Sequence, residues 1–439
     1  MNDTIRWGML WLVMGGLSAC AGEGSSDEDG TETETETALD ADTRTVVLEK
    51  LGSLPAAPPA DPTNRWADDP AAATLGQALF FDARYSENGQ ISCATCHDPA
   101  AGFQDPRANT SEGLAFTGRA APSVINAAYG SLTPGETVWH FWDGRTDSQW
   151  AQVLGPPESG VEMGGTRTRV AYLLHDEYRS EYEAIFGAMP ELHDAEGEAL
   201  YPDEAMPGTD AWDALDAAAQ HDINEIYANF GKAIAAYERL IVSRDSRFDQ
   251  FYEELAAGAD DSDVLTEQEK QGLALFVGKA NCVACHSGPN FTDWAFYNLA
   301  IDQIGDNLPE LDDGRMAGVE AVRGDVFNCA GEFSDHPDKS QCAVEQLTSL
   351  PLDLGAFKTP SLRSVSQTAP YMHTGTFETL EDVLVHYEVG GGEGAYAGEA
   401  SPKLIPYGVS EGEREALVAF LKTLDGAPLD PALLGAPAR

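Results

Sequence analysis

Basic residues are scarce in this chain of 439 residues. It contains 26 Lys and Arg residues against 73 Asp and Glu residues, which gives a formal net charge of −47. A nucleic-acid-binding surface needs a basic patch, and no stretch of this sequence supplies one, so we expect no nucleic-acid partner. The acidity favours either a basic protein partner or solubility in salty surroundings.

Long apolar runs and strand patterns are also scarce. No internal apolar run reaches the roughly 20 residues that a membrane-spanning helix needs. Helical patterns are clearer, because apolar residues recur at helical spacing from Ile223 to Ile241 and predict one long core helix. Capping boxes at Thr266-x-x-Glu269 and Ser410-x-x-Glu413 predict the starts of two further helices. The expected fold is mainly α.

The first 19 residues predict export. The apolar run Gly8–Gly16 is short and ends in small residues, which is typical of a cleaved signal peptide (1–19) rather than a membrane span. Leu17-Ser18-Ala19 before Cys20 resembles the lipobox of bacterial lipoproteins, and an ordinary signal peptide with an incidental Cys is the alternative. We therefore expect lipidation at Cys20 and a periplasm-facing lipoprotein of the outer membrane, held to the membrane only by its lipid.

Residues 20–65 predict a disordered tether. The Thr-Glu repeat from Thr31 to Thr37 is polar and acidic, and such a composition cannot bury a core. The Pro/Ala-rich stretch Pro55–Pro62 extends the linker.

Four of the seven cysteines fall in two copies of one motif. Cys93-Ala94-Thr95-Cys96-His97 and Cys282-Val283-Ala284-Cys285-His286 both read C-x-x-C-H, the attachment pattern of a c-type haem. The two thiols bind one haem covalently and the His binds its iron. A zinc site would need a second Cys pair, and a redox C-x-x-C does not need the His. We predict two covalently bound haem c groups, with His97 and His286 as axial iron ligands.

Two haem motifs predict two cytochrome c-like haem domains with long loops, at 66–255 and 256–439. Once Cys20 and the four haem cysteines are set aside, Cys329 and Cys342 remain. Exported proteins permit disulfides, so we expect these two to pair and to pin the polar insert Ile301–Leu350.

Several further motifs stand in a fixed order around the haem motifs. They are Leu75–Phe81, Phe141-Trp142-Asp143-Gly144-Arg145, Val161-Glu162-Met163, Asp312-Asp313-Gly314-Arg315, Phe357–Arg363 and Thr368–His373. From Leu75 to Leu424 the chain thereby resembles the bacterial di-haem cytochrome c peroxidase family, which includes the MauG-like enzymes. The resemblance implies a first haem that reacts with peroxide and a second that transfers electrons.

The resemblance also implies an open iron in the first haem. Related peroxidases block that iron with a His in the loop after the first motif, but this sequence has no His between His97 and His140. Thr110–Gly113 occupies the aligned stretch. We therefore expect a five-coordinate first iron. We expect His140 to be a packed or rim residue, and ligation of the iron by His140 is the alternative.

Three residues take catalytic roles by resemblance. Glu162 matches the acid–base Glu above the first haem, Gln152 the nearby amide and Trp142 the aromatic relay between the haems. Pro156 matches the small apolar residue of that pocket. From the bare residues, a surface carboxylate and a core Trp are the alternatives for Glu162 and Trp142.

The second haem's other ligand decides the branch of the family. Tyr387 stands fourteen residues after His373, where peroxidases keep a Met, and a Tyr there resembles the MauG-like branch. A phenolate lowers the haem potential whereas a thioether raises it. Met372 and His386 are the competing ligands.

The family also binds calcium between its haems, through an Asn side chain and carbonyls near Thr368 and Pro370. Ala120 stands at the Asn position, so a hard cation loses one oxygen ligand here, and calcium could bind only through carbonyls and water. The predicted activity is reduction of hydrogen peroxide with electrons from a small cytochrome or cupredoxin. The alternatives are a MauG-like enzyme that uses peroxide-derived high-valent haem to oxidise a protein or organic substrate, and a non-enzymatic electron-transfer cytochrome.

Overall fold

The computed structural model describes residues 39–107, 110–130 and 137–438. The predicted signal peptide (1–19), the predicted lipidation site Cys20 and the first part of the predicted linker lie outside the described residues. The residues from 39 onward belong to one compact unit.

Helices dominate the described residues, as the sequence predicts. The α-helices are α1 (Ala41–Lys50), α2 (Pro70–Phe80), α3 (Cys93–Cys96), α4 (Gln149–Val153), α5 (Gly155–Glu158), α6 (Arg167–Glu177), α7 (Arg179–Phe186), α8 (Asp210–Asp213), α9 (Ala217–Glu238), α10 (Arg247–Ala256), α11 (Glu267–Val277), α12 (Arg315–Gly324), α13 (Leu380–Val389) and α14 (Glu411–Lys422). The described strands are β1 (Phe296–Tyr297) and β2 (Phe357–Lys358), which pair antiparallel with Phe296 opposite Lys358. Over the described ranges, none of the helices combines the length and the apolar character that crossing a membrane requires.

Two helix pairs of the same construction frame the molecule. Helix α2 packs on α9, and α11 packs on α14. A Cβ on Gly76 of α2 would lie 1.8 Å from the carbonyl oxygen of Ala233, and a Cβ on Gly272 of α11 would lie 1.9 Å from that of Ala416. Because only glycine leaves this space free, the two backbones of each pair touch. The glycine-bearing helix stands before a haem motif in both pairs.

Two main apolar clusters form the core. The larger cluster gathers side chains of α2, α4, α6 and α9 around the fully buried Trp150 and Tyr227. The second cluster gathers α10, α11, α13 and α14 around Phe276 and Phe420. Helix α10 packs in the second cluster, although the predicted boundary between residues 255 and 256 assigns it to the first domain. The division into two haem domains stays a prediction.

Part of the predicted disordered linker is a helix. The linker was predicted over 20–65, but α1 begins at Ala41, where the Asp40 side chain accepts two backbone N–H groups. Val47 is fully buried against the second cluster. The prediction is wrong over α1, because the apolar run Val46-Val47-Leu48 follows the acidic repeat and gives the helix a face to bury. It is also wrong after α1, where Asn64 is buried and donates its side-chain N–H to the carbonyl oxygen of Lys232 at 3.1 Å.

Cys329 and Cys342 form a disulfide, with their Cα atoms 5.7 Å apart. The N–H of Cys329 donates to both carboxylate oxygens of Asp147, at 2.9 and 3.0 Å. Asp147 directly precedes Ser148, which caps α4. The cross-linked loop therefore lies against the start of the helix that carries Gln152.

The close contact between α11 and α14 predicts a cost for one added methyl group. In Gly272→Ala the new Cβ meets the Ala416 carbonyl oxygen, so the helices must separate. We expect the free energy of unfolding to fall by about 1 to 3 kcal/mol, the usual cost of overpacking, as measured by chemical denaturation. Gly412→Ala is the matched control in α14, since nothing lies within 4 Å of its Cβ position. Equal losses in both variants would contradict the argument.

Candidate functional site

The first C-x-x-C-H motif lines a cavity of about 640 Å³. Helix α3 presents the thiols of Cys93 and Cys96, which are not joined to each other. Nδ1 of the following His97 lies 3.2 Å from the carbonyl oxygen of Phe103. Because that carbonyl accepts the Nδ1 proton, Nε2 is left as the metal-binding nitrogen.

The second motif repeats this arrangement in a cavity of about 270 Å³. Nδ1 of His286 lies 2.9 Å from the carbonyl oxygen of Phe291. Phe103 and Phe291 both have a positive φ, 55° and 52°, which is unusual for a bulky residue. The sulfur and imidazole donors of each cavity fit one haem c, whose iron would supply redox chemistry when bound.

The residues predicted to act on peroxide share the first cavity. Trp142, Gln152 and Glu162 line it, together with Pro156. Burial raises the pKa of Glu162 above its ordinary value, and the nearby Arg145 opposes that shift. The carboxyl group thus lies in a cavity wall and not on an open surface.

The loop after the first motif runs beside Glu162. The N–H of Leu114 donates to the carbonyl oxygen of Glu162, and the N–H of Ala115 to that of Val161, both at 2.9 Å. A Cβ on Gly113 would lie 2.2 Å from the Glu162 carbonyl oxygen. The loop that, by the resemblance, carries a blocking His in related peroxidases is therefore held here against the segment of Glu162, the predicted catalytic carboxylate.

His140 also lines the first cavity. Burial lowers the pKa of His140 to about 3, and the neighbouring Lys358 adds to that effect. The structure thus places a buried, neutral imidazole in the cavity wall. This position agrees with the packed or rim residue that the sequence predicts.

Trp142 lies between the two cavities and lines both. Its Nε1–H donates to the carbonyl oxygen of Ala120 at 2.8 Å, and its own carbonyl oxygen accepts the N–H of Lys358 at 2.8 Å. Its ring stands edge to face with His373, 6.4 Å between centroids. One hydrogen bond thus holds the indole and another holds the backbone of the same residue, at the place where a relay between the cavities is predicted.

A buried charge cluster in this wall escaped sequence analysis. Arg119 donates to Asp143 at 2.6 Å and to both oxygens of Asp312 at 2.7 and 2.8 Å. The two aspartate side chains are 6% and 8% exposed. The motif Asp312–Arg315 was visible in the sequence, but its partner lies 193 residues away and no local pattern connects them.

Tyr387 lines the second cavity, as do Met372 and His373. Burial raises the pKa of Tyr387, and the thiols of Cys282 and Cys285 add to the shift. His386 is not among the described residues that line this cavity, and its Nε2 lies 2.8 Å from the carbonyl oxygen of Leu299. One of the two competing ligands is therefore engaged elsewhere.

Sequence analysis also missed Tyr407. This residue lines the second cavity, and among the described residues its buried hydroxyl has no hydrogen-bond partner. Burial raises its pKa, with Cys282 as the next cause. A lone Tyr in the loop before α14 carries no sequence signal of this placement.

The residues present do not fit the calcium site of the family. Ala120 offers no side-chain oxygen, and its carbonyl oxygen accepts the Trp142 indole N–H. The carbonyl oxygen of Pro370 accepts the side-chain amide of Gln104 at 3.1 Å, in a buried contact. An amide donor thus occupies a carbonyl that a cation would need.

Known proteins resemble this chain over most of its length. The family model for di-haem cytochrome c peroxidase matches residues 70–257. The chain is 34% identical over 384 residues to cytochrome-c peroxidase IdrP1 of Denitromonas iodatirespirans, covering 85% of this chain and 86% of that protein. It is 33% identical over 366 residues to methylamine utilization protein MauG of Methylorubrum extorquens, covering 82% and 79%. A solved MauG-like protein associated with microbial copper homeostasis superposes with a TM-score of 0.60 at 26% identity, covering 88% of this chain and 98% of that one.

Chelation tests whether calcium is needed. Because the Pro370 carbonyl is already hydrogen-bonded to Gln104, we expect EGTA treatment to leave the haem absorption spectrum and the peroxide turnover unchanged. Gln104→Leu should alter both, whether or not calcium is added, since the carbonyl then loses its partner. A loss of turnover in EGTA that added Ca²⁺ restores would contradict this prediction.

Proposed function

This chain belongs to the di-haem cytochrome c peroxidase family, and we propose that it reduces hydrogen peroxide in the first cavity with electrons that a small redox partner delivers through the second. One observation carries the proposal. Glu162 and Gln152 line the same cavity as His97, the attachment-motif imidazole. A carrier cytochrome needs no acid and amide beside its iron, so this pairing favours catalysis over electron transfer alone.

The residues divide the work of reducing one peroxide molecule. The reaction takes up two electrons and two protons and releases two water molecules. The carboxylate of Glu162 accepts the proton of one peroxide oxygen and returns it to the departing oxygen, which leaves as water. The amide of Gln152 orients the peroxide by hydrogen bonding. A haem held by Cys93, Cys96 and His97 would supply the electrons for O–O cleavage.

A second function has one specific observation in its favour. Tyr387 lines the second cavity at the position where peroxidases keep Met. An anionic phenolate on iron stabilises the oxidised state, and Trp142 lines both cavities. These features support a MauG-like enzyme that spreads the oxidising equivalents of peroxide over both haems and uses them on a protein or organic substrate.

We further propose where the protein works and what delivers its electrons. The disulfide between Cys329 and Cys342 supports an exported, periplasm-facing protein, and we place a lipid anchor on Cys20. The net charge of −47 favours a basic partner, a small cytochrome or cupredoxin. The first haem belongs to a domain over 66–255 and the second to a domain over 256–439.

Glu162→Gln tests the catalytic carboxylate. The amide cannot accept a proton, so we expect peroxide turnover to fall by about 10²-fold or more while both haems stay attached. In the wild type the rate should fall as the pH drops through the pKa of Glu162, which burial holds above the ordinary 4.5. Glu196→Gln, an exposed change in the segment between α7 and α8, is the matched control. Equal rates in the Glu162 variant and the wild type would show that Glu162 has no catalytic role.

Tyr387→Met tests the ligand of the second iron. Replacing a phenolate by a thioether should raise the reduction potential of the second haem, measured by spectroelectrochemical titration. Tyr407→Phe is the matched control, because Tyr407 lines the same cavity but is not the predicted ligand. A potential that moves in Tyr407→Phe and stays fixed in Tyr387→Met would reverse the assignment.

A further inference from the structure

A second carboxyl group lines the first cavity. Glu238 is the last residue of α9, and its side chain reaches the cavity wall. The residue is 4% exposed. Its Oε2 accepts the side-chain N–H of Gln149 at 2.8 Å, in a fully buried contact. Neither residue has a part in the mechanism described above.

Glu238 and Glu162 stand at different places in this cavity. Glu162 is close enough to Cys96 and Arg145 to interact with them electrostatically, whereas Glu238 interacts with Cys93. Gln149, the partner of Glu238, lies three residues before Gln152 on α4, so both amides share one helix face. That face connects Glu238 to the amide predicted to orient peroxide.

The mechanism described above does not account for the source of the two protons that the reaction consumes. Glu162 takes a proton from one peroxide oxygen and gives it to the other, so its net supply is zero. The two protons that turn one peroxide into two waters must come from other groups. A buried acid on the same cavity wall meets that need, provided that it is protonated when peroxide arrives.

We propose that Glu238, held by Gln149, is a proton-supplying residue that delivers one of these two protons to the first cavity and regains it from solvent. The inference rests on the proposed peroxidase function and goes beyond it. The bond that breaks in this step is the O–H bond of the Glu238 carboxyl group. The bond that forms is an O–H bond of product water, and the electrons come from the reduced redox partner.

The surroundings of Glu238 favour its protonated form up to about neutral pH. Burial raises the pKa of Glu238 to about 7, and the N–H of Gln149 opposes the shift. Over the described ranges no cation forms an ion pair with Glu238. The adjacent Arg239 instead pairs with Asp68, with 2.7 Å between Nη2 and Oδ1. The titratable group that α3 brings near Glu238 is the thiol of Cys93. Helix α2 brings an apolar ring, Phe80, which packs edge to face against the neighbouring Tyr237.

The pH profile of peroxide turnover by the holoenzyme gives the first test. In the wild type the rate should fall as the pH rises through about 7, because the ionised Glu238 has no proton to give. Glu238→Gln should lose this alkaline limb and be slower below pH 7 by about tenfold or more, the lower side of the range for acid–base groups. An unchanged alkaline limb in Glu238→Gln would overturn the proposal.

Gln149→Leu tests the same residue without removing it. The N–H of Gln149 stabilises the carboxylate form, so its loss should raise the pKa of Glu238 and move the alkaline limb to higher pH. A merely structural contact would lower the rate without moving the limb, and that result counts against the proposal. Glu225→Gln, an exposed change on the same helix, should leave the profile as it is in the wild type.

Infrared spectroscopy of the resting holoenzyme tests protonation without turnover. The carbonyl stretch of a protonated carboxylic acid should titrate near pH 7 in the wild type, shift in D₂O and be missing in Glu238→Gln. If no such band disappears in that variant, the proposal fails even when turnover is normal. If the band is present and no variant or wild type turns over peroxide, the proposed peroxidase function fails instead.

Discussion

The wall between the two cavities depends on the part-buried guanidinium of Arg119 and the two buried carboxylates that it binds. Its nitrogens donate to Asp143 and Asp312, which belong to segments far apart in sequence. Removing one partner from such a group leaves an uncompensated buried charge and typically costs about 3 to 5 kcal/mol. The next residue, Ala120, donates its N–H to the His373 carbonyl oxygen and accepts the Trp142 indole N–H. Fixing Arg119 therefore fixes the indole that lines both cavities.

The two cavities share a construction and differ in their walls. Each has a C-x-x-C-H motif, a Phe carbonyl oxygen on the His Nδ1 and a glycine-packed helix before the motif. The first cavity adds carboxyl and amide groups, Glu162, Gln152, Glu238 and Gln149. The second adds the phenols Tyr387 and Tyr407. Burial raises the pKa of Glu162 and of Glu238, so these two carboxyl groups are suited to proton transfer in the first cavity. Burial also raises the pKa of both phenols, which therefore keep their protons unless a metal takes the oxygen.

Local patterns made part of this predictable from sequence. The C-x-x-C-H spacing and the capping boxes at Thr266 and Ser410 involve neighbours in the chain, and the structure has helices starting at both boxes. Glu238 was not predicted because it stands among the apolar residues of a core helix. A single acid in such a helix carries no sequence pattern that indicates a functional site. Arg119 and Asp312 escaped because their contact is long-range. Helix α1 was missed because the acidic repeat before it dominates the composition of the predicted linker.

Two segments interlock the apolar clusters. Helix α1 comes from the N-terminal side of the chain but buries Val47 in the second cluster. The insert Ile301–Leu350 follows the second motif but buries Phe327 in the first cluster, and its Asp335 pairs with the buried Lys232 of α9 at 2.8 Å. A segment that packs across in each direction makes opening of one cluster costly for the other. The proposed electron transfer through Trp142 needs a constant distance between the cavities. The exchanged segments maintain that distance, while Arg119 maintains the orientation of the indole.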